Sequence, residues 1–264
     1  MLPLIVGLVL AVIVFLYSKF EAKLKSLFEE REFRIRDAVF LVIIMGIMVT
    51  VLAIVTQFIP SQAILILFLA AYSFILFLFT YTAVEKWYLA LLPSISFVIL
   101  YFFFWDVHFP LFLNIFAILF AVSISIYIGS LFSWTTVLVF AGLIAIMDII
   151  QVFGTKHMGE AASIFITLKL PVLLRVPTFP FQGTILLGLG DIFLGGLLAI
   201  QTMRKYGKQA GYLSSLSIGI AFFIFEIMIF HFEELSRIFP ATLVVICGWL
   251  LSLGFYHVFK REWT

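Results

Sequence analysis

Long apolar runs, broken by short polar or charged connections, fill almost the whole chain. Runs of about 20 residues, enough to cross a bilayer, can be laid out as nine spans at approximately 2–18, 38–59, 62–83, 87–105, 110–129, 132–154, 182–201, 210–232 and 239–258. Each run is continuously apolar and lacks the period-two alternation of a membrane barrel, so helices are predicted. Spans two and three are separated only by Pro60-Ser61, and spans five and six only by Gly129-Ser130. Each is still read as a pair, because one helix of more than about 40 apolar residues exceeds any bilayer. The first run has no basic residue before it and no small-x-small cleavage site behind it, so it is expected to be retained rather than removed as a signal.

Composition agrees with this pattern. Of 264 residues, 64% are hydrophobic and 11% charged, against about 25% charged in soluble domains. Mean hydropathy is +1.25. The predicted class is an all-α polytopic membrane protein forming a single membrane domain over 1–264, with no detached domain, low-complexity segment or internal repeat. Its contact with the lipid bilayer is extensive, and no nucleic-acid partner is expected. The charged stretch 20–37 mixes both signs and is read as a solvated or interfacial helix. Cys247, alone in an apolar run, excludes a disulfide within the chain and reads as packing.

Charge distribution gives the orientation. If the loops alternate sides, 12 Lys/Arg (19, 23, 25, 31, 34, 36, 86, 204, 205, 208, 260 and 261) share one side, and Lys156, Lys169, Arg175 and Arg237 the other. The positive-inside rule then places the N-terminus outside, the C-terminus in the cytosol and the connection 155–181 outward in a multi-pass cell-membrane protein.

Against this apolar background, Asp148 and Asp191 stand out. A carboxylate at the centre of a membrane helix costs roughly 2.5–3.5 kcal/mol or more, so such groups are functional candidates by default. Counted from the loop their spans share, at about 1.5 Å per residue, Asp148 lies about 9 Å deep and Asp191 about 13–14 Å deep. The mismatch is under one helical turn, and neighbouring helices could bring the two together. Two carboxylates near a water-filled space are the equipment of an aspartic protease. Gly188 and Gly190 beside Asp191 would permit close backbone approach and loosen the helix, whereas Gly195 and Gly196 read as ordinary helix packing. Glu226, about 9 Å inside span eight, is read as a protonated or water-exposed acid. Asn114 and Gln57 are read as helix–helix hydrogen bonders. Neither Gly-x-Ser-x-Gly nor His-Glu-x-x-His is present, so serine and zinc proteolysis lack their groups. His108 and His157 fall in loops, and His231 and His257 near helix ends.

Leu187-Gly188-Leu189-Gly190-Asp191 resembles the Gly-x-Gly-Asp signature of the presenilin and signal peptide peptidase intramembrane aspartyl proteases. Met147-Asp148 occupies the place of that family's Tyr-Asp pair, and Val152-Phe153-Gly154-Thr155 with Met158 is similar to signal peptide peptidases. Leu168-Lys169-Leu170-Pro171-Val172-Leu173-Leu174 resembles the family's approach to its seventh helix. Pro240-Ala241-Thr242 falls where the family carries Pro-Ala-Leu. The motifs cover about 132–264, which the resemblance makes the catalytic half (spans six to nine) behind a scaffold of spans one to five (1–131). Two residues depart from the family: Met147 removes a tyrosine hydroxyl, and Thr242 replaces the leucine that packs the ninth helix against the site.

The resemblance implies a nine-helix presenilin-like fold and an endopeptidase that cuts transmembrane helices, type II helices in this orientation, with no metal or organic cofactor. Asp148 and Asp191 would be the catalytic dyad, one activating water and the other polarising the scissile carbonyl. Gly188, Gly190, Pro240, Ala241, Thr242 and Met147 would support them. Residues 168–176, apolar and bounded by prolines, are expected to form an edge strand that pairs with unwound substrate, with Leu168, Leu170, Val172, Leu173 and Leu174 in contact with it. The alternative is a proton- or cation-coupled transporter using the same carboxylates, with Pro93 and Pro240 as helix interruptions. A non-catalytic membrane chaperone would have lost an aspartate, and this chain keeps both. Substrate identity and oligomeric state stay open.

Overall fold

A computed structural model describes residues 1–27, 32–55, 60–103, 109–155, 157–177, 183–231 and 239–262. The expected positions of Gln57, His108 and Lys156 lie outside these described residues. Within them the chain is α-helical apart from one hairpin: α1 (Leu2–Leu27), α2 (Ile35–Val55), α3 (Ser61–Val84), α4 (Trp87–Phe103), α5 (Phe109–Leu131), α6 (Trp134–Ile149), a π-helical turn (Ile150–Thr155), α7 (His157–Thr167), strands β1 (Leu173–Pro177) and β2 (Thr184–Gly188), α8 (Leu189–Tyr206), α9 (Lys208–His231) and α10 (Ala241–Glu262). Among the described residues, six helices are long and apolar enough to cross a membrane, and α4 is a shorter apolar helix. Large apolar side chains such as Phe40, Ile47, Leu67, Phe74 and Phe103 cover the outward faces, an arrangement suited to lipid rather than water. The protein is an α-helical membrane protein.

α8 is the axis of the packing. Every residue from Leu189 to Met203 except Gly190 is buried, and α1, α5, α6, α9 and α10 all pack against this helix. Gly196 lets two neighbours close in, since a Cβ there would come within 2.9 Å of both Ile13 and Ser125. Polar residues on α8 are each satisfied by a neighbour. Gln201 Nε2 donates to Gly129 O at 2.9 Å and Phe132 O at 2.8 Å, and Trp249 Nε1 donates to Thr202 Oγ1 at 2.8 Å. At the end of the same helix, Arg204 donates to Phe132 O at 2.6 Å and Glu32 at 2.9 Å.

Several boundaries differ from those the sequence predicts. α1 runs on to Leu27, so the charged stretch from position 20 is not a separate interfacial helix. Nothing in Lys19–Leu27 breaks a helix, Leu24 is fully buried, and Lys25 pairs with Glu21 one turn away at 3.0 Å. α5 continues through Gly129-Ser130 and stops at Leu131. The break falls instead at Ser133, whose hydroxyl caps α6 by accepting the Thr136 N–H. α4 continues through Pro93 without interruption.

The connection between α6 and α8 changes the picture most. Lys169 adopts φ 49° in a turn that holds Leu168 and Leu170, and the strand begins only at Leu173. Span seven was expected from 182, but α8 starts at Leu189, because Thr184–Gly188 pairs antiparallel with Leu173–Pro177. Asp191 is therefore the third residue of its helix rather than a mid-helix group. On the opposite end of the bundle, Glu85 closes α3 in the left-handed region and meets Lys23 of α1 at 2.5 Å. That hydrogen bond and the lysine charge hold the Glu85 carboxyl below its usual range.

Candidate functional site

Both aspartates stand where regular helix gives way. Asp148 is the penultimate residue of α6, immediately before the π-helical turn. Such turns widen the backbone ring and leave carbonyls imperfectly paired, and they are frequent at functional sites. Asp191 lies in the first turn of α8, just after β2. Buried to 3% and 6% exposure respectively, the two carboxyls are close enough for the charge of Asp148 to act on Asp191. α6, α8 and α10 pack against one another around them.

A helix N-terminus meets each carboxyl. α8 is capped by Gly188 with extended backbone (φ −66°, ψ 140°), and the Asp191 carboxyl reaches back to the Gly188 N–H. This is the acidic half of a capping box, an N3 side chain satisfying the N-cap amide. It also explains the glycine: a Cβ on Gly188 would lie 3.1 Å from Asp191 Oδ2. At Gly190, by contrast, a Cβ would meet no neighbouring element within 4 Å.

Asp148 is held from α10. Pro240 opens that helix, its carbonyl accepting the Leu243 N–H at 3.1 Å. Two residues on, the Thr242 hydroxyl donates to Asp148 Oδ2 at 2.7 Å, and the Thr242 N–H donates as well. An amide at the second position of a helix has no partner inside it, so the aspartate satisfies a group the helix leaves open. Where a leucine could only pack, Thr242 makes a buried polar contact. Met147 is turned away from the pair and packs on α2, its Sδ standing 2.9 Å from where a Gly46 Cβ would be. Gln151 of the π turn donates to Gly46 O at 3.3 Å, tying this turn to the same helix.

The hairpin adjoins the pair directly. Leu189 N–H bonds to Val172 O at 3.1 Å. By the alternation of an antiparallel ladder, Val172–Leu189, Leu174–Leu187 and Val176–Ile185 are then the hydrogen-bonded pairs. Leu174, Val176 and Leu187 point into the core at 1%, 1% and 3% exposure. Leu168 and Leu170 do not join the strand; Leu168 O accepts from Tyr101 Oη at 2.7 Å, and Pro171 O from Tyr72 Oη. The outward backbone groups of β1 are already occupied: Asn114 accepts the Arg175 N–H at 2.9 Å and donates to Arg175 O at 2.6 Å. Asn114 is thus a strand clamp rather than a helix–helix bonder. β2 differs. Apart from the Gly188 N–H, its outward groups at Thr184 and Leu186 have no partner among the described residues, and Leu186 is 42% exposed. Among the described residues the free edge of this sheet is β2, not the segment 168–176.

Sequence reasoning missed β2 and Gly46, and gave Asn114 the wrong partner. A signal for β2 was present, since Gly183 and Gly188 bound a short Thr-Ile-Leu-Leu run. Glu226 is buried, with Oε1 3.8 Å from the Met1 ammonium. Among the described residues no group of His, Cys, Asp or Glu could hold a metal ion. Neither a protein-family model nor a curated protein matches the chain.

Proposed function

We propose that this protein is an intramembrane aspartyl protease, resembling presenilins and signal peptide peptidases, that hydrolyses peptide bonds in transmembrane helices. One observation carries the reading. Two buried carboxyls on neighbouring helices lie within electrostatic reach of each other, and each is oriented by a helix N-terminus. Paired acids cannot both ionise cheaply at close range, so they share a proton: the ionised partner takes a proton from water and the protonated one polarises the carbonyl. The peptide nitrogen leaves with a proton returned through the same pair.

A substrate helix keeps its amides in its own hydrogen bonds and must unwind before attack. The β2 edge offers the unwound stretch a strand to pair with. Because Gly188 both ends this edge and caps α8, a peptide paired along β2 would be led toward Asp191. Six of the described helices are long and apolar enough to cross a membrane, and α2, α4 and α8 fall in order where the other three expected spans lie, which supports a nine-span presenilin-like architecture. The basic-residue asymmetry supports an outer N-terminus and a cytosolic C-terminus. Cysteines introduced at Thr264 and at Lys156 report on this, and labelling of the first but not the second in intact cells would reverse the orientation.

The decisive experiment is incubation of purified protein in lipid with model transmembrane peptides, type II orientation included, and mass spectrometry of the fragments. Wild type should yield internal cuts, and Asp148→Asn and Asp191→Asn, each folded, should yield none. Cleavage by either variant refutes the dyad. Proton or cation flux in proteoliposomes, without cleavage, would favour the transporter.

A further inference from the structure

We infer that Thr242 is the positioning residue that keeps Asp148 as the proton acceptor of the pair, leaving the shared proton on Asp191; this rests on the aspartyl protease reading. Asp148 receives two donors from one residue, the Thr242 hydroxyl at 2.7 Å and its backbone N–H. Asp191 receives one, the Gly188 N–H. Donors favour the charged form of a carboxyl over the neutral one, and here the count favours charge on Asp148. Thr242 is 5% exposed, so water cannot easily replace its hydroxyl.

Among the described residues, other groups around Asp148 do not compete for this role. From α8 the facing titratable group is Asp191. α2 presents Gly46, and its charged Arg36 and Asp37 lie at its first turn. The π turn presents Gln151, whose amide is engaged on Gly46 O. On α9, packed against α10, Glu226 faces the Met1 ammonium. α10 itself offers only Thr242 at this end. Among the described residues, Thr242 is therefore the one through which the sharing of the proton is set.

Thr242→Val removes the hydroxyl while conserving volume, and Thr242→Ser keeps it. In the valine variant the acidic limb of the pH–kcat profile should move up by about one pH unit, as expected for one lost hydrogen bond to a charged group. KM should barely change, and the serine variant should follow wild type. The infrared C=O band of protonated carboxyls, followed against pH in lipid, reads the same shift without needing turnover, and the shift should vanish in an Asp148→Asn background. Thr242→Ala is a second hydroxyl-free variant should valine not fold. A band and limb unmoved in a cleaving, folded valine or alanine variant overturn the inference and leave the protease reading intact. So does a serine variant that behaves like valine, since the methyl group would then be responsible. A band that shifts in protein unable to cut any transmembrane peptide supports the hold on Asp148 and removes the protease reading.

Discussion

Replacing Asn114 with leucine should release the hairpin from the bundle without unfolding it. The side chain makes two hydrogen bonds to a single strand residue, donating to Arg175 O at 2.6 Å and accepting its N–H at 2.9 Å. Leucine has the same branching and number of side-chain heavy atoms and no polar atom, so both Arg175 backbone groups lose their partner. A half-buried group stranded in this way costs at the lower end of about 1–3 kcal/mol, which gives about 2–3 kcal/mol for the pair. The cost falls on local opening of β1 and β2, because the helices on either side keep their own contacts. At tenfold per 1.4 kcal/mol, amide exchange over 173–188 should accelerate by about thirty- to a hundred-fold. Peptide-resolved hydrogen exchange in lipid or detergent measures this directly, with Ser123→Ala on the same helix as a control. Among the described residues that hydroxyl bonds only within α5, to Leu119 O. If exchange in Asn114→Leu stays within about threefold of wild type, the clamp is not what holds the strand. If the β2 edge guides substrate, the same variant should also lose turnover while a transition-state mimic still binds the aspartates.

Gly188→Ala and Gly190→Ala should separate sharply despite their proximity. The first places a methyl 3.1 Å from Asp191 Oδ2 and should cut turnover at least tenfold; the second meets open space and should raise KM more than it lowers kcat. Equal effects on kcat would contradict the geometry. The Lys23–Glu85 pair should stabilise the protein above the usual carboxylate range and stop doing so as pH falls through the depressed Glu85 value. Any difference in melting temperature between wild type and Lys23→Met should therefore close on acidification, and a difference that widens would show the sign to be wrong.

The helices were legible because a run of 20 apolar residues has one solution in a bilayer, and the two acids because charge is expensive there. Their environment was not. β2 and α8 form one unbroken apolar stretch from Thr184 to Leu189, and a short fully apolar run carries no period to tell strand from helix. What makes Thr184–Gly188 a strand is its pairing with Leu173–Pro177, itself fixed by Asn114 sixty-one residues before Arg175. The same limit hid the role of Thr242, which lies ninety-four residues from Asp148. In sequence it is only a leucine position filled by a polar residue.

One physical thread connects these distant pairs. An isolated carboxyl in an apolar bundle is costly, and so is a helix N-terminus with unpaired amides. Bringing the two together offsets both penalties at once, and here it happens twice, at Gly188 with Asp191 and at Thr242 with Asp148. Each acid is thereby fixed at a helix end rather than mid-helix, where the backbone is already open and a reacting peptide would have room. If that is why the acids sit where they do, restoring regular helix before Asp191 should cost activity even with both carboxyls present. Replacing Thr184–Leu187 with alanines, strong helix formers, tests this. Circular dichroism would report the gained helix, and a variant that gains it yet cleaves at the wild-type rate would show that the broken backbone is incidental.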